Sequence, residues 1–214
     1  MYDRCYALRP DFFQALFDAF IECLVPEAPA AYASWMASLQ EQFGLVLAVD
    51  GSKLDAVAHR LKLLWNERGV VLPGCMTVFY DIFRGIPRRM FFYANAAEAE
   101  LTRGMDCLSW IPKGTLLVGD RLYCSIQFFA AVIAAEIHGV FRLNGTIKVR
   151  RIKVQARHVG RREFWEDVLV EVGGTNGLPI LRLRLIRYRG FDINGRRISR
   201  DILTSVLDPR KLSV

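Results

Sequence analysis

Two aspartates stand where an apolar run gives way to polar chain. LVLAVDGSKL (Leu45 to Leu54) carries Asp50 beside a glycine, and LLVGDRLY (Leu116 to Tyr123) carries Asp120 between Gly119 and Arg121. Each run reads as a strand that delivers its acid at or near the C-terminal end. A lone aspartate in such a place is as readily a cap or a turn former. A pair facing each other at neighbouring strand ends is different, because two carboxylates repel unless a divalent cation lies between them. Mg²⁺ (or Mn²⁺) takes oxygen ligands, and Mg²⁺ is commonly held by one or two protein carboxylates plus substrate phosphate. Two such ions activate the attacking oxygen and stabilise the leaving oxygen of a phosphodiester.

The surrounding pattern supplies elements to position these acids. DFFQALFDAFIECL (Asp11 to Leu24) spaces Phe13, Leu16, Phe17, Phe20 and Leu24 as a helix, with Pro10 at its start. A second helix is expected over 30–43, then a strand from Leu45 to Asp50. SKLDAVAHRLKLLW fits either helix or loop. MTVFYDIFRGIPRRMFFYA reads as two strands with a turn at 84–88, where Gly85 and Pro87 sit. A helix over 96–110, a strand from Thr115 to Asp120, a helix over 125–138 and the strand VFRLNG follow. This is an α/β order with the two aspartates on the first and fourth strands. Beyond Gly145, TIKVRRIKVQARHVG, FWEDVLVEVGG and ILRLRLIRYRG read as successive strands between glycine turns.

The strings VDGSKL, PGCMTVFYDIFRGIPRRM, IPKGTLLVGDRLYCS, FRLNG and DILTSVLDP, in that order, resemble DDE transposases of the insertion-sequence-four family. The resemblance covers about Leu45 to Pro209. It implies a ribonuclease-H-like mixed sheet with flanking helices. A short helical N-terminal segment (1–44) would precede the catalytic core (45–144), and a basic β-rich insertion with a truncated C-terminus (145–214) would follow. Asp50 and Asp120 would be the first two catalytic, metal-holding acids, the cofactor Mg²⁺ or Mn²⁺, and the partner double-stranded DNA at transposon ends and target. Arg121 and Tyr123, which follow Asp120 as in the family motif, could contact a backbone phosphate. They could equally be a surface charge and a residue packed at the strand–helix corner.

One part of the family pattern is missing. Its third acid is a glutamate in a tyrosine-arginine-glutamate-lysine helix soon after a segment like TSVLDP, and this sequence stops at DPRKLSV. The chain therefore reads as a transposase cut before its site is complete, inactive alone, or as a non-catalytic DNA-binding or inhibitory derivative that pairs with full-length transposase or with itself. Glu163 and Glu166 lie 43 and 46 residues after Asp120, a distance at which simpler enzymes of this fold place the third acid. FWEDVLVEV alternates like a strand, however, which puts both in the insertion.

Composition agrees with a DNA partner. The net charge is +7, but residues 140–214 hold 17 Lys/Arg against 7 Asp/Glu, while residues 1–139 hold 12 against 15. A basic third on a slightly acidic body suits an anionic polymer. In LRLRLIRY, Arg182 and Arg184 alternate with Leu181, Leu183 and Leu185, so a basic strand face is expected to track DNA. Simple strand amphipathicity is the alternative. Arg187 and Arg189 fall out of phase, which points to a bulge near Ile186. Trp165 could stack on an unpaired base or belong to the core. His59, His138 and His158 share no metal-ligand spacing. The five cysteines form no CxxC pair, so no zinc ribbon or disulfide framework is signalled and a reduced cytoplasm is expected. The longest apolar run, IQFFAAVIAA, is too short for a membrane span and no secretory signal is read.

Overall fold

The computed structural model describes residues 10–27, 36–58, 74–95, 100–192 and 194–212. In chain order the elements are α1 (Pro10–Glu27), α2 (Ala37–Gln42), β1 (Val46–Lys53), α3 (Leu54–Ala58), β2 (Cys75–Asp81), β3 (Ile86–Tyr93), α4 (Glu100–Asp106), β4 (Leu116–Gly119), α5 (Ile126–Ala134), β5 (His138–Arg142), β6 (Val149–Val159), β7 (Phe164–Val172), β8 (Leu181–Phe191) and β9 (Arg197–Thr204). The protein is mixed α/β, and it divides into two compact units, Met1–Ser34 with Leu47–Cys107, and Trp35–Val46 with Leu108–Val214. Among the described residues no helix is long and apolar enough to cross a membrane.

In the first unit β1, β2 and β3 form an antiparallel meander in the order β3-β2-β1. CMTVFYD buries every second residue, Cys75, Thr77, Phe79 and Asp81, as a strand with one covered face must. The hairpin turn is built by Asp81. Its Oδ1 accepts the backbone N–H groups of Phe83 and Arg84, each at 3.0 Å, and Oδ2 accepts Arg84 Nη1 at 3.1 Å. Gly85 then takes φ +70°, the left-handed region where glycine carries no Cβ penalty. The turn thus precedes the expected 84–88 and Pro87 lies within β3. There the missing N–H is tolerated, because β3 pairs only with β2 and the register shifts between Phe79 and Tyr80. Helix α1 packs on β3, with Asp18 3.6 Å from Arg89.

The second unit is a large mixed sheet in the order β4-β5-β9-β8-β7-β6. β4 and β5 are parallel, joined through α5, and every other pair is antiparallel. Helix α5 starts at Ser125, whose hydroxyl accepts the N–H of Phe128 at 3.1 Å. It ends at Ala134, four residues short of the expected 138, because Glu136 turns at φ 56° and His138 opens β5. Phe128 and Phe129 pack on Phe141, with ring centroids 5.4 and 5.0 Å apart. Under the other strands lie Val168, Val170, Leu183, Leu185 and Leu203, all fully buried.

β9 is the element that the sequence reading missed. It returns between β5 and β8, so the basic strands are continuous with β4 and β5 in one sheet. The helix expected over 30–43 is described only as Ala37–Gln42, and that over 96–110 as Glu100–Asp106 followed by a 3-10 turn at Leu108–Trp110; residues 28–35 and 96–99 lie outside the described residues. So do 59–73, which hold His59 and most of the ambiguous SKLDAVAHRLKLLW.

Candidate functional site

Asp50 lies in the first unit. It is not at a strand end, since β1 continues to Lys53, and it pairs across to Val78. Its neighbours Val49 and Gly51 face the covered side of the meander, so alternation turns the Asp50 carboxylate to the open side, where it is exposed. Gly51 leaves room for a close approach: a Cβ there would meet the Glu100 carboxyl group at 2.5 Å, so that side chain would have to shift. Glu100 Oε1 is buried without a hydrogen-bond partner. This acid, which the sequence did not single out, lies on the opposite face of β1 from Asp50 and cannot share a ligand with it.

Asp120 lies in the second unit, one residue past β4, and its side chain is exposed. Its carbonyl accepts the Tyr123 N–H at 3.1 Å, and the turn runs directly into the Ser125 cap of α5. Arg121 projects into solvent. Tyr123 does not: it is 1% exposed, its ring 5.4 Å from Phe128. As a DNA contact it is corrected to a core residue, because the tight turn points it back under α5. Its neighbour Cys124 is buried too, and burial pushes that thiol up to about 11, so it is no thiolate at neutral pH.

Asp50 and Asp120 have in common that no described residue pairs with either carboxylate. Other acids of the strands and turns are engaged. Asp81 builds its hairpin, Asp167 holds Arg184, Asp201 holds Arg189 at 2.5 Å, and Asp192 accepts the N–H groups of Asn194 and Arg196. Glu166 is 4% exposed and accepts Arg151 Nη2 at 2.7 Å. Glu163 sits in the β6–β7 turn, 3.4 Å from His158. Both glutamates are four strands from β4 in the sheet order, about 19 Å at about 4.8 Å per strand. Neither can complete a site with Asp120.

The basic face departs from expectation in an informative way. Arg184 is fully buried and presents no charge to DNA. β8 keeps regular register with both neighbours, so no bulge occurs near Ile186; the irregularities fall in β6, between Arg151 and Lys153 and between Val154 and Ala156. Four successive residues of β8, Leu183 to Ile186, are buried, because the strand is covered on both faces. Arg182 is exposed but leans on Glu171 at 3.3 Å, and Arg187 lies between Glu166 and Asp201 at 4.0 and 3.8 Å. Cross-strand acids thus neutralise the arginines that the pattern singled out. Trp165 is half-buried with His158 stacked on it at 6.0 Å.

Four positive charges without a cross-strand acid cluster at the tips of the β6–β7 and β8–β9 hairpins. Arg161, Arg162, Arg196 and Arg197 are exposed there and have no acidic partner among the described residues. Between the tips lies a cleft of about 460 Å³, lined by Arg161, Arg162, Arg197, Phe164 and Phe191 together with one acid, Glu163. The signal was present in the sequence as the RR pairs within two Gly-containing turns, VGRREF and NGRRIS. Among the described residues no group of three or more His, Cys, Asp or Glu side chains is placed to hold a metal ion. No protein-family model matches the chain, and no curated protein matches it.

Proposed function

We propose that this chain is a DNA transposase derivative with a ribonuclease-H-like core, in which Asp50 and Asp120 are the two strand-borne catalytic carboxylates. The observation that carries the reading is the contrast among the acids. Strand and turn acids such as Asp81, Asp167 and Asp201 serve the fold, whereas Asp50 and Asp120 have no partner among the described residues. Support also comes from the antiparallel β3-β2-β1 meander, the parallel β4–α5–β5 crossover, and the order of the VDGS and VGDRLY strings. Mg²⁺ or Mn²⁺ would be held by these two acids only together with a further ligand. A second reading, which rests on the exposed arginines of the hairpin tips alone, is a non-catalytic DNA-binding chain that pairs with full-length transposase. The cytoplasm is the proposed setting.

Duplex DNA is the partner in both readings, and binding is the direct test. Engagement of about four phosphates by Arg161, Arg162, Arg196 and Arg197 gives a slope of about −3.6 in log affinity against log salt. Affinity then falls roughly a hundredfold between about 50 and 200 mM salt. Arg161→Glu with Arg162→Glu should flatten the slope by about two. Arg182→Glu should change little, since Glu171 already neutralises that charge. Fluorescence anisotropy of a labelled duplex reads all three quantities. No binding at low salt, or a slope unmoved by the double reversal, rejects the DNA reading.

A further inference from the structure

Strand β6 closes the sheet order and, among the described residues, pairs only with β7. Both its faces are open: of its 11 residues, all but Val149 and Ala156 are exposed. From Gly145 to Arg162 the chain holds seven Lys/Arg and no Asp or Glu. Arg150 is engaged by Glu171 and Arg151 by Glu166, and Arg161 and Arg162 belong to the hairpin tip. Lys148, Lys153 and Arg157 remain, exposed and without an ion pair among the described residues. Arg157 stands opposite Glu166 in register, but that carboxylate is taken by Arg151. Its guanidinium lies over the Phe164 ring at 5.5 Å, a contact that keeps the charge.

We propose that duplex DNA lies along the β6 edge, so that phosphate contacts run from the hairpin tips back along the strand to Lys148. The proposal rests on the DNA reading and extends its surface. An edge strand turns unpaired N–H groups outward, and phosphate oxygens accept from backbone N–H groups as well as from Lys and Arg. Lys153 stands opposite Leu169 and Arg157 opposite Glu166, which lie on different faces of β7. The two cations therefore reach past the edge from both sides. Nine residues of β6 find partners on β7, a span of about 30 Å, close to the roughly 34 Å of one duplex turn. The rival occupant is an added protein strand, to which Ile152 and Val154, 44% and 45% exposed, would offer contacts. Two features speak against it. The register shifts twice, leaving Ile152 and Gln155 without partners, and such bulges disrupt the even ladder that an incoming strand needs. A second copy of β6 would also set like charges against each other, since VRRIKVQARHV holds no acid.

Each phosphate engaged adds about −0.9 to the slope of log affinity against log salt. With about three contacts along the edge added to those of the tips, the slope of the whole chain steepens from about −3.6 to about −6.3. Lys148→Gln with Lys153→Gln and Arg157→Gln should return it to about −3.6. All three side chains are exposed, so the urea unfolding midpoint should not move. Lysine acetylation by an activated ester, read by mass spectrometry, gives an independent measure. A duplex of about 20 base pairs, two turns long, should slow acetylation of Lys148 and Lys153 several-fold. Lys113, which precedes β4 at the other end of this unit's sheet order, should react as before. A slope unmoved by the triple change, where Arg161→Glu with Arg162→Glu does flatten it, overturns the edge contact and leaves the DNA reading standing. No binding at low salt overturns both. Protection of Lys148 and Lys153 by oligo-glutamate but not by the duplex overturns the proposal in favour of a protein strand.

Discussion

Incubated with duplex DNA and Mg²⁺ or Mn²⁺, the 214-residue chain is expected to leave the phosphodiester backbone uncut. Holding two ions about 3.5–4 Å apart, with nucleophile and leaving group aligned, calls for a further fixed ligand. A misplacement of about 1 Å can already cost about a hundredfold in rate. Glu166 is bound to Arg151, Glu163 lies in a turn far across the sheet, and Glu100, on α4, lies against the face of β1 opposite Asp50. A helix bearing the tyrosine-arginine-glutamate-lysine signature, appended after Val214, should confer cleavage. That activity should vanish with Asp50→Ala or Asp120→Ala. Strand cleavage by the unextended chain, abolished by Glu163→Gln or Glu166→Gln, would reject this account of the site. Failure of the extended chain to cut, although it folds and binds DNA, would reject the catalytic assignment of the two aspartates.

The second large effect concerns Arg184. Its guanidinium has five N–H donors, and the fold uses all of them. Nε and Nη2 donate to the Asp167 carboxylate at 3.0 and 2.5 Å. Nη1 donates to the carbonyls of Val206 and Asp208 at 3.0 and 3.3 Å, and Nη2 also to that of Leu212 at 3.0 Å. One buried side chain thus ties the segment after β9 to β7 and β8. Arg184→Ala should lower the stability of the second unit by about 3–5 kcal/mol, because Asp167 is left buried and uncompensated. Arg184→Lys should also destabilise, since a point charge with three donors cannot reproduce the planar fork. Replacing both partners, Arg184→Met with Asp167→Leu, should cost less than Arg184→Ala alone. Urea unfolding midpoints and hydrogen exchange over 206–212 measure these effects. A loss within about 0.5 kcal/mol, the range of an ordinary surface substitution, would show that the network contributes little.

Arg184 also shows where periodicity misleads. LRLRLIRY alternates, and alternation ordinarily separates a wet face from a dry one. That inference needs one face to be solvated. β8 lies between β7 and β9, and the segment from Val206 to Leu212 crosses to it, so both faces are covered. Only an acid at the right place on a neighbouring strand makes a buried arginine tolerable, and Asp167 is 17 residues away in the chain. Cross-strand register therefore converts an expected DNA contact into a structural one. Tyr123 has the same history on a smaller scale, since one tight turn decides whether its ring meets solvent or Phe128.

Local chemistry was legible in the sequence because it depends on near neighbours. The period-two and helical runs marked β2, β3, β7, β8, α1 and α5. Gly85 marked the first hairpin, although Asp81 moved the turn; the apolar runs marked β1, on which Asp50 lies, and β4, which Asp120 follows by one residue. The charge imbalance beyond residue 140 was likewise a matter of composition. Tertiary structure decided which charges are free. Pairing with acids from adjacent strands removes Arg150, Arg151, Arg182, Arg184, Arg187 and Arg189 from the pool available to a ligand and leaves, among others, Arg161, Arg162, Arg196 and Arg197 at the two hairpin tips. It also decided that β9 returns beside β5, a pairing set by contacts about 60 residues apart in the chain that no local pattern encodes.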